Sequence, residues 1–500
     1  MTVNSTAQLD PRVQAFLESG PHKLFIGGQF VESISGKTFS TKNPATGEVL
    51  AEVYEADQAD VDRAVEAAER AFAGPWSKLT PSERGRLIWK LADLMEEHLE
   101  ALAQLDTLDN GKPIRETRNA DVPLAIDHFR YYAGWATKIH GQVIENSVSH
   151  NMFTYTRHEP IGVVGQIIPW NFPLLMAAWK LGAALATGNV VVLKTAEQTP
   201  LSALYLAKLI QEAGFPEGVV NILSGFGPTA GAAIVQHPRI RKVAFTGSTE
   251  VGKLIMRQAA GNVKRVSLEL GGKSPNIIFP DADFSKAIPG ALMGIFFNQG
   301  QVCCAGSRLF VHKKVYDNFL ADMSSYASKL KQGPGLDEST EIGPLVSDEQ
   351  LERVSYFLNK GKEEGATPLV GGQPLDRPGY FVPPTIFTDV RDDMTIAKEE
   401  IFGPVVAALP FDNEEQIADV IRRANNNEYG LAAGVWTTDV RKAHRVAHAL
   451  EAGTVWVNTY NAFDASVPFG GYKQSGFGRE MGSYALELYT QVKSVWINLE

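Results

Sequence analysis

Ile161-Gly-Val-Val-Gly-Gln-Ile-Ile-Pro-Trp-Asn171-Phe-Pro-Leu-Leu-Met-Ala-Ala-Trp-Lys180-Leu-Gly-Ala-Ala-Leu-Ala-Thr-Gly-Asn-Val-Val-Val-Leu193 holds a single charged residue, Lys180. Length and hydropathy alone would make it a membrane span. Its punctuation divides it instead. Residues 162–168 read as a short apolar strand, Pro169-Trp170-Asn171-Phe172-Pro173 breaks that strand, residues 174–186 read as a helix apolar nearly all round, and residues 189–193 as a β-branched strand. Strand, buried helix, strand is a parallel βαβ unit.

The alternation continues downstream. Helix is expected at 202–213, 228–235 and 249–259, with strand at 219–223, 242–245 and 265–270, which gives an α/β doubly wound sheet with ligands at the carboxyl ends of its strands. A second α/β segment runs from about 271 to 473, with strands at 276–279, 308–311, 405–410 and 454–458. Upstream, residues 23–31 suggest a hairpin, 43–48 a turn and 49–54 a strand. Helices follow at 59–72, from Thr80-Pro81-Ser82-Glu83 to about 97, and at 100–109 and 120–139. The stretch 489–499 alternates like a strand but has no obvious partner in its own chain, so it is expected as an edge strand lent to another subunit.

The whole chain has 500 residues, 44% hydrophobic and 21% charged, and a net charge of −10. Basic runs are short, so nucleic acid and anionic membrane are excluded as expected partners. Two cysteines in a chain of this length indicate a reducing compartment. The opening Met1-Thr2-Val3-Asn4-Ser5-Thr6-Ala7-Gln8-Leu9-Asp10 has neither a basic start nor an apolar run. It therefore gives no sign of a targeting peptide, and a cytoplasmic location is expected.

Those cysteines are adjacent, in Phe296-Phe-Asn-Gln-Gly300-Gln-Val-Cys303-Cys304-Ala-Gly306. A free cysteine is commonly a small buried hydrophobe, but the flanking glycines suit a thiol offered to a cleft. Neighbouring cysteines rarely close a disulfide with each other, and no metal-ligand spacing accompanies them. Glu269, in Ser267-Leu-Glu269-Leu270-Gly271-Gly272-Lys273, is either a buried ion-pair member or a general base of raised pKa. Asn171 either caps a turn or points its amide at a developing oxyanion. Gly225-Phe-Gly227-Pro228-Thr-Ala-Gly231 is spaced GxGxxxG, one residue longer than the dinucleotide fingerprint, and is either a phosphate loop or a plain turn. Phe245-Thr-Gly247-Ser248-Thr-Glu-Val251 opens a helix whose first amides can meet a pyrophosphate. Glu197, after Lys194, either accepts from ribose hydroxyls and repels a 2′-phosphate or begins a solvated helix.

Taken together, Glu269-Leu-Gly-Gly-Lys-Ser-Pro, Gly-Gln-Val-Cys303-Cys-Ala-Gly-Ser-Arg, Pro-Trp-Asn171-Phe-Pro, Phe-Thr-Gly-Ser248, Glu-Glu400-Ile-Phe402-Gly-Pro and Pro-Phe469-Gly-Gly-Tyr-Lys resemble the NAD(P)-dependent aldehyde dehydrogenases over residues 20–500, nearest to the class 1 and class 2 type. The resemblance implies that family's fold. A Rossmann-like NAD-binding domain would comprise 1–138 and 162–271, an α/β catalytic domain 272–473, and a small β oligomerisation arm 139–161 and 486–500. It implies oxidation of an aldehyde to its acid through a Cys303 thiohemiacetal and thioester, with Asn171 and the Cys303 amide as oxyanion hole. Glu269 would activate the hydrolytic water, with Lys180 and Glu480 as a proton-relay pair behind it. Lys194 and Glu197 would hold the adenosine ribose of NAD in preference to NADP, Ser248 the pyrophosphate, and Glu400 the nicotinamide ribose beside Phe402. Ile168, Trp170, Gly227, Pro228, Phe245, Gly247, Val251, Leu270 and Gly271 would complete the cofactor cleft. Phe172, Met176, Trp179, Phe297, Val302, Phe463 and Phe469 would line a tunnel for uncharged aliphatic or aromatic aldehydes. No metal is implied; a homotetramer, a dimer of dimers, is. Gln491 departs from a Glu seen in some relatives, which bears on subunit contacts.

Overall fold

In the computed structural model, which describes residues 8–148, 151–412 and 417–500, the charge-poor stretch becomes strand Val163–Ile167, helix Pro173–Ala186 and strand Val190–Lys194, all three buried throughout. The two strands pair in parallel from Val163↔Val190 to Ile167↔Lys194. A helix apolar on every side needs cover on every side, and Val122–Trp135 packs across it.

Five parallel strands form the centre of an eight-stranded sheet, in the order Val220–Leu223, Val190–Lys194, Val163–Ile167, Lys242–Thr246, Arg265–Glu269. The chain first builds outward on one side of Val163–Ile167 and then on the other. That reversal opens a crevice at the carboxyl ends of the strands. The hairpin Leu24–Ile26/Gln29–Val31 closes one edge, antiparallel to Val220–Leu223. Gly476–Phe477 closes the other, antiparallel to Arg265–Glu269, so the chain returns from its second half to the end of the strand that carries Glu269.

The second sheet has seven strands, in the order Thr367–Val370, Thr385–Thr388, Val405–Phe411, Arg308–His312, Pro275–Ile278, Ala432–Trp436, Thr454–Val457. All its pairings are parallel except the first. Around these sheets the helices start where the sequence signals them. Thr80 and Glu83 form a capping box on Pro81–Glu97: the Glu83 N–H donates to Thr80 Oγ1 at 3.3 Å and the Thr80 N–H to Glu83 Oε2 at 2.7 Å.

One expectation is corrected. The C-terminal strand Thr490–Asn498 has a partner in its own chain, pairing antiparallel with Met152–Pro160 from Thr490↔Pro160 to Asn498↔Met152. Met152–Pro160 follows Phe153 and Tyr155 with Arg157, His158 and Glu159 and has no apolar run, so hydrophobic patterning passes over it. Gln491 donates to the Pro160 carbonyl at 3.3 Å. Val492 and Trp496 on one face of this ribbon, and Ile497 with its cross-strand partner Phe153 on the other, are exposed. Among the described residues no helix is long and apolar enough to cross a membrane. The expectation for the first residues falls largely on 1–7, outside the described residues.

Candidate active site

The two halves of the molecule meet around a cavity of about 610 Å³. Cys303 reaches it through an unusual approach. After helix Phe284–Phe296, residues Asn298, Gln299 and Gly300 take φ of 47°, 56° and 72° in succession. Left-handed backbone costs a non-glycine residue about 1–2 kcal/mol, so the surroundings must hold this loop. The Asn298 N–H donates to Glu116 Oε2 at 3.0 Å, Asn298 Nδ2 to the Asn171 carbonyl at 2.8 Å, Gln299 Nε2 to the Pro344 carbonyl at 3.0 Å, and the Val346 N–H to Gln301 Oε1 at 3.0 Å. At Gly300 a Cβ would lie 2.1 Å from the Gly403 carbonyl oxygen. Cys303 is partly exposed, whereas Cys304 is buried with Sγ 3.6 Å from Asn461 Oδ1 and its carbonyl accepting from Tyr460 at 2.8 Å. The neighbouring Cys304 thiol, then burial, raise the Cys303 thiol well above its ordinary pKa.

Asn171 stands at the carboxyl end of Val163–Ile167, where the Pro-flanked break turns the chain into the next helix. Its Nδ2 donates to the Gln301 carbonyl at 2.9 Å, which fixes the amide plane and leaves a second N–H on the cavity wall. Glu269 ends its own strand, with Oε2 buried and without a hydrogen-bond partner. Burial first, and then the Glu480 carboxylate, raise Glu269 well above the usual carboxylate range; Lys180 opposes them. Lys180 Nζ donates to Glu480 Oε1 and, at 2.8 Å, to Thr246 Oγ1. Glu480 arrives here through a backbone bridge with Phe469, its N–H donating at 2.8 Å and its carbonyl accepting at 2.7 Å.

The positions expected to hold the cofactor form two groups. Around Glu400, burial pushes the carboxyl up to about 7, and Oε1 accepts the Gly272 N–H at 2.9 Å. Phe402, with φ of 61°, sets its ring edge-on to Trp170 at 5.2 Å. Gln350 and Arg353, one turn apart on a helix, donate to the carbonyls of Phe402 (2.6 Å) and Glu400 (2.5 Å). At the far end, Lys194 Nζ donates to Glu197 Oε2 at 3.2 Å and lies against Gly231. Gly227–Gly231 is a π-helical turn, closed by the Gly231 N–H on the Phe226 carbonyl at 3.1 Å. The extra residue of the GxGxxxG spacing is thus absorbed in a wider turn. Ser248 caps helix Thr249–Ala259, accepting the Val251 N–H at 3.2 Å, and the Phe245 ring covers Gly247, where a Cβ would meet it at 2.4 Å.

Of the expected residues, Trp170, Asn171, Phe172, Met176, Trp179, Gly247, Ser248, Glu269, Leu270, Gly271, Phe297, Val302, Cys303, Glu400, Phe402, Phe463, Phe469 and Glu480 line the one cavity. Lys180 sits behind Glu480, and Ile168, Lys194, Glu197, Gly227, Pro228, Phe245 and Val251 lie outside its wall. The aromatic wall has two groups, Phe172 with Phe297 at 6.1 Å between ring centroids, and Trp179, Phe463 and Phe469, with Phe469 5.5 Å from Trp179 and 5.6 Å from Phe463. Sequence reasoning missed Asp121, Leu124, Met293, Gln350, Arg353 and Tyr429 in this wall. Asp121 is the acidic group that the expected tunnel lacked, but Lys112 Nζ neutralises it at 2.6 Å.

A model of the aldehyde dehydrogenase family matches residues 30–495. The chain is 64% identical over 496 residues to a Bacillus subtilis (strain 168) protein provisionally named aldehyde dehydrogenase DhaS, covering 99% of both. It is 55% identical over 481 residues to the human mitochondrial aldehyde dehydrogenase, covering 96% of this chain and 92% of that one. Among solved structures, an NAD+ complex of aldehyde dehydrogenase from Bacillus cereus superposes with a TM-score of 0.97 at 60% identity, covering 99% of this chain and 100% of the other.

Proposed function

The chain belongs to the aldehyde dehydrogenase family, oxidoreductases acting on the aldehyde group, and from that premise we propose that it oxidises uncharged aliphatic and aromatic aldehydes to carboxylic acids with NAD, through a thioester on Cys303. The observation that carries the proposal is the convergence of Cys303, Asn171 and Glu269 on one cavity, with Glu269 Oε2 buried and unpartnered.

The Cys303 thiol passes its proton to the Glu269 carboxylate, which hands it on to Glu480, and its sulfur adds to the aldehyde carbon, forming a thiohemiacetal. The free N–H of Asn171 and the Cys303 backbone amide receive the oxyanion, each donor of this kind being worth roughly 2.7–4 kcal/mol. NAD, when bound, supplies the acceptor for the aldehyde hydride, whose departure leaves the thioester. Glu269, which burial and the Glu480 carboxylate hold above the usual carboxylate range, takes a proton from water, and that water cleaves the thioester. Glu480 receives the proton onward on Oε2, which is buried without a partner, while Lys180 donates to its Oε1 and completes the relay pair.

The residues present fit the dinucleotide. Around Gly227 a Cβ would meet nothing within 4 Å, which leaves the backbone open to close approach, and the Lys194–Glu197 pair beside it offers a donor and an acceptor to ribose hydroxyls. The Glu197 carboxylate would repel a 2′-phosphate, which favours NAD over NADP. The aromatic wall and the neutralised Asp121 favour uncharged substrates. We further propose the domain division expected from sequence, a homotetramer using the exposed apolar residues of the Met152–Pro160/Thr490–Asn498 ribbon, and a cytoplasmic location.

Purified protein with NAD and a panel from acetaldehyde through hexanal, benzaldehyde, phenylacetaldehyde and betaine aldehyde should form NADH on the uncharged members, and far less NADPH with NADP. Silence across the panel with intact ester hydrolysis would overturn the dehydrogenase assignment for these substrates.

A further inference from the structure

Lys112 is fully buried, and the chemistry described so far does not use it. It follows Gly111, the left-handed cap of helix Leu99–Asn110. Its Nζ donates to Asp121 Oδ2 at 2.6 Å and to the Asn171 backbone carbonyl at 2.8 Å, and lies 3.9 Å from the centroid of the Phe172 ring. The same Asn171 carbonyl accepts Asn298 Nδ2 at 2.8 Å. Asn171 lies in the Pro-flanked break between strand and helix, so no sheet ladder holds its carbonyl; two side-chain donors do.

Burying an ammonium for one ion pair gains little stability, because desolvation of both charges offsets their attraction. The placement has a use if it is geometric. The Lys112 charge also acts on the buried carboxyls of Asp106 and Glu116, and Glu116 in turn accepts the Asn298 N–H at 3.0 Å. The direct hydrogen bonds of the cation thus reach the peptide carrying the oxyanion donor, while the loop leading to Cys303 is held by Glu116 itself.

We propose that Lys112 is a positioning residue for the oxidation: by clamping the Asn171 carbonyl together with Asn298 Nδ2, it aims the Asn171 side-chain amide at the oxyanion formed on the Cys303 adduct. The inference rests on the reading of Asn171 as oxyanion donor. Asp121 anchors the clamp by holding the ammonium from the opposite side.

The test is a double-mutant cycle read on the rate of the pre-steady-state NADH burst, which reports hydride release. Asn171→Ala should slow the burst about 100- to 1,000-fold. Lys112→Met, which keeps the stem and removes the ammonium, should slow it about 10- to 100-fold through misplacement of the donor. Lys112→Met/Asn171→Ala should stay within about twofold of Asn171→Ala, because a clamp has nothing to aim once the amide is gone. Alkylation of Cys303 by iodoacetamide, which forms no oxyanion, should change less than about twofold in Lys112→Met. Should the unpaired Asp121 prevent folding, Lys112→Met/Asp121→Asn removes both charges and enters the cycle in its place. A wild-type burst in Lys112→Met, losses that multiply in the double variant, or a parallel fall in alkylation each overturn the positioning role. A wild-type burst in Asn171→Ala instead overturns the oxyanion reading beneath it.

Discussion

Gly272 offers a perturbation whose size can be worked out directly. A Cβ at this position would lie 2.4 Å from the Cys303 carbonyl oxygen and 3.2 Å from Leu431 Cβ. Ordinary non-bonded contact needs about 3.4 Å or more, so Gly272→Ala demands about 1 Å of movement. Backbone stands on one side of the clash, and on the other Glu400 Oε1 is tied to the Gly272 N–H at 2.9 Å, so no flexible side-chain end can absorb it. The element that yields is the loop carrying Cys303. A displacement of about 1 Å at a reacting group costs on the order of 100-fold in rate, about 2.7 kcal/mol of barrier. The same overpacking should cost about 1–3 kcal/mol of stability. Steady-state NADH formation at saturating aldehyde and NAD, run beside a denaturant melt, measures both quantities. A Gly272→Ala enzyme that keeps wild-type kcat would refute the claim that Cys303 works from the position described.

Glu197→Gln removes the charge expected to repel a 2′-phosphate and should raise kcat/KM for NADP relative to NAD by about tenfold or more; an unchanged ratio assigns cofactor choice elsewhere. In deacylation-limited turnover, the rising limb of kcat against pH should lie above the ordinary carboxylate range, because burial and Glu480 raise Glu269. Glu480→Gln removes one raising charge and frees Lys180 to lower Glu269 further, so the limb should move to lower pH, and an unmoved limb contradicts the coupling. Asp109 is buried, accepting the Leu201 N–H at 2.8 Å and bonded to Thr41, and burial pushes it up to about 8. Its folded pKa exceeds its unfolded value near 4, so its contribution to stability is present below about pH 4 and is lost as pH rises to about 8. Asp109→Asn should therefore gain stability relative to wild type across that window and stay level above it; a difference independent of pH would show that Asp109 does not titrate there.

The βαβ unit was legible because a run with one charge can only be buried, and the proline pair at 169 and 173 marks where strand gives way to helix. Thr80 and Glu83 announced their helix for an equally local reason. Legibility fails where burial is bought by pairing rather than by apolar side chains. Lys112, Glu116 and Asp121 carry no apolar signal in sequence, yet all three are buried near the cavity, joined by contacts from Asn171 and Asn298 that local pattern does not contain. Met152–Pro160 escaped because it carries aromatics at 153 and 155 and charges at 157 and 159 with no apolar run, and its partner is more than 300 residues away in sequence. Gln350 and Arg353 act on backbone carbonyls of the 400–402 segment, and nothing in their own helix signals that. The π-turn at Gly227–Gly231 lies between these cases, since its spacing flagged an extra residue but only the folded chain shows where it goes.

The central claim is that Cys303 carries the acyl group and Glu269 delivers the water that removes it. Glu269→Gln enzyme mixed with benzaldehyde and NAD, quenched after one turnover and mapped by peptide mass spectrometry, tests both parts at once. The account predicts a benzoyl adduct on Cys303, with Cys304 unmodified and NADH release confined to a single burst. An adduct on Cys304, or steady turnover with no trapped acyl group, would contradict it.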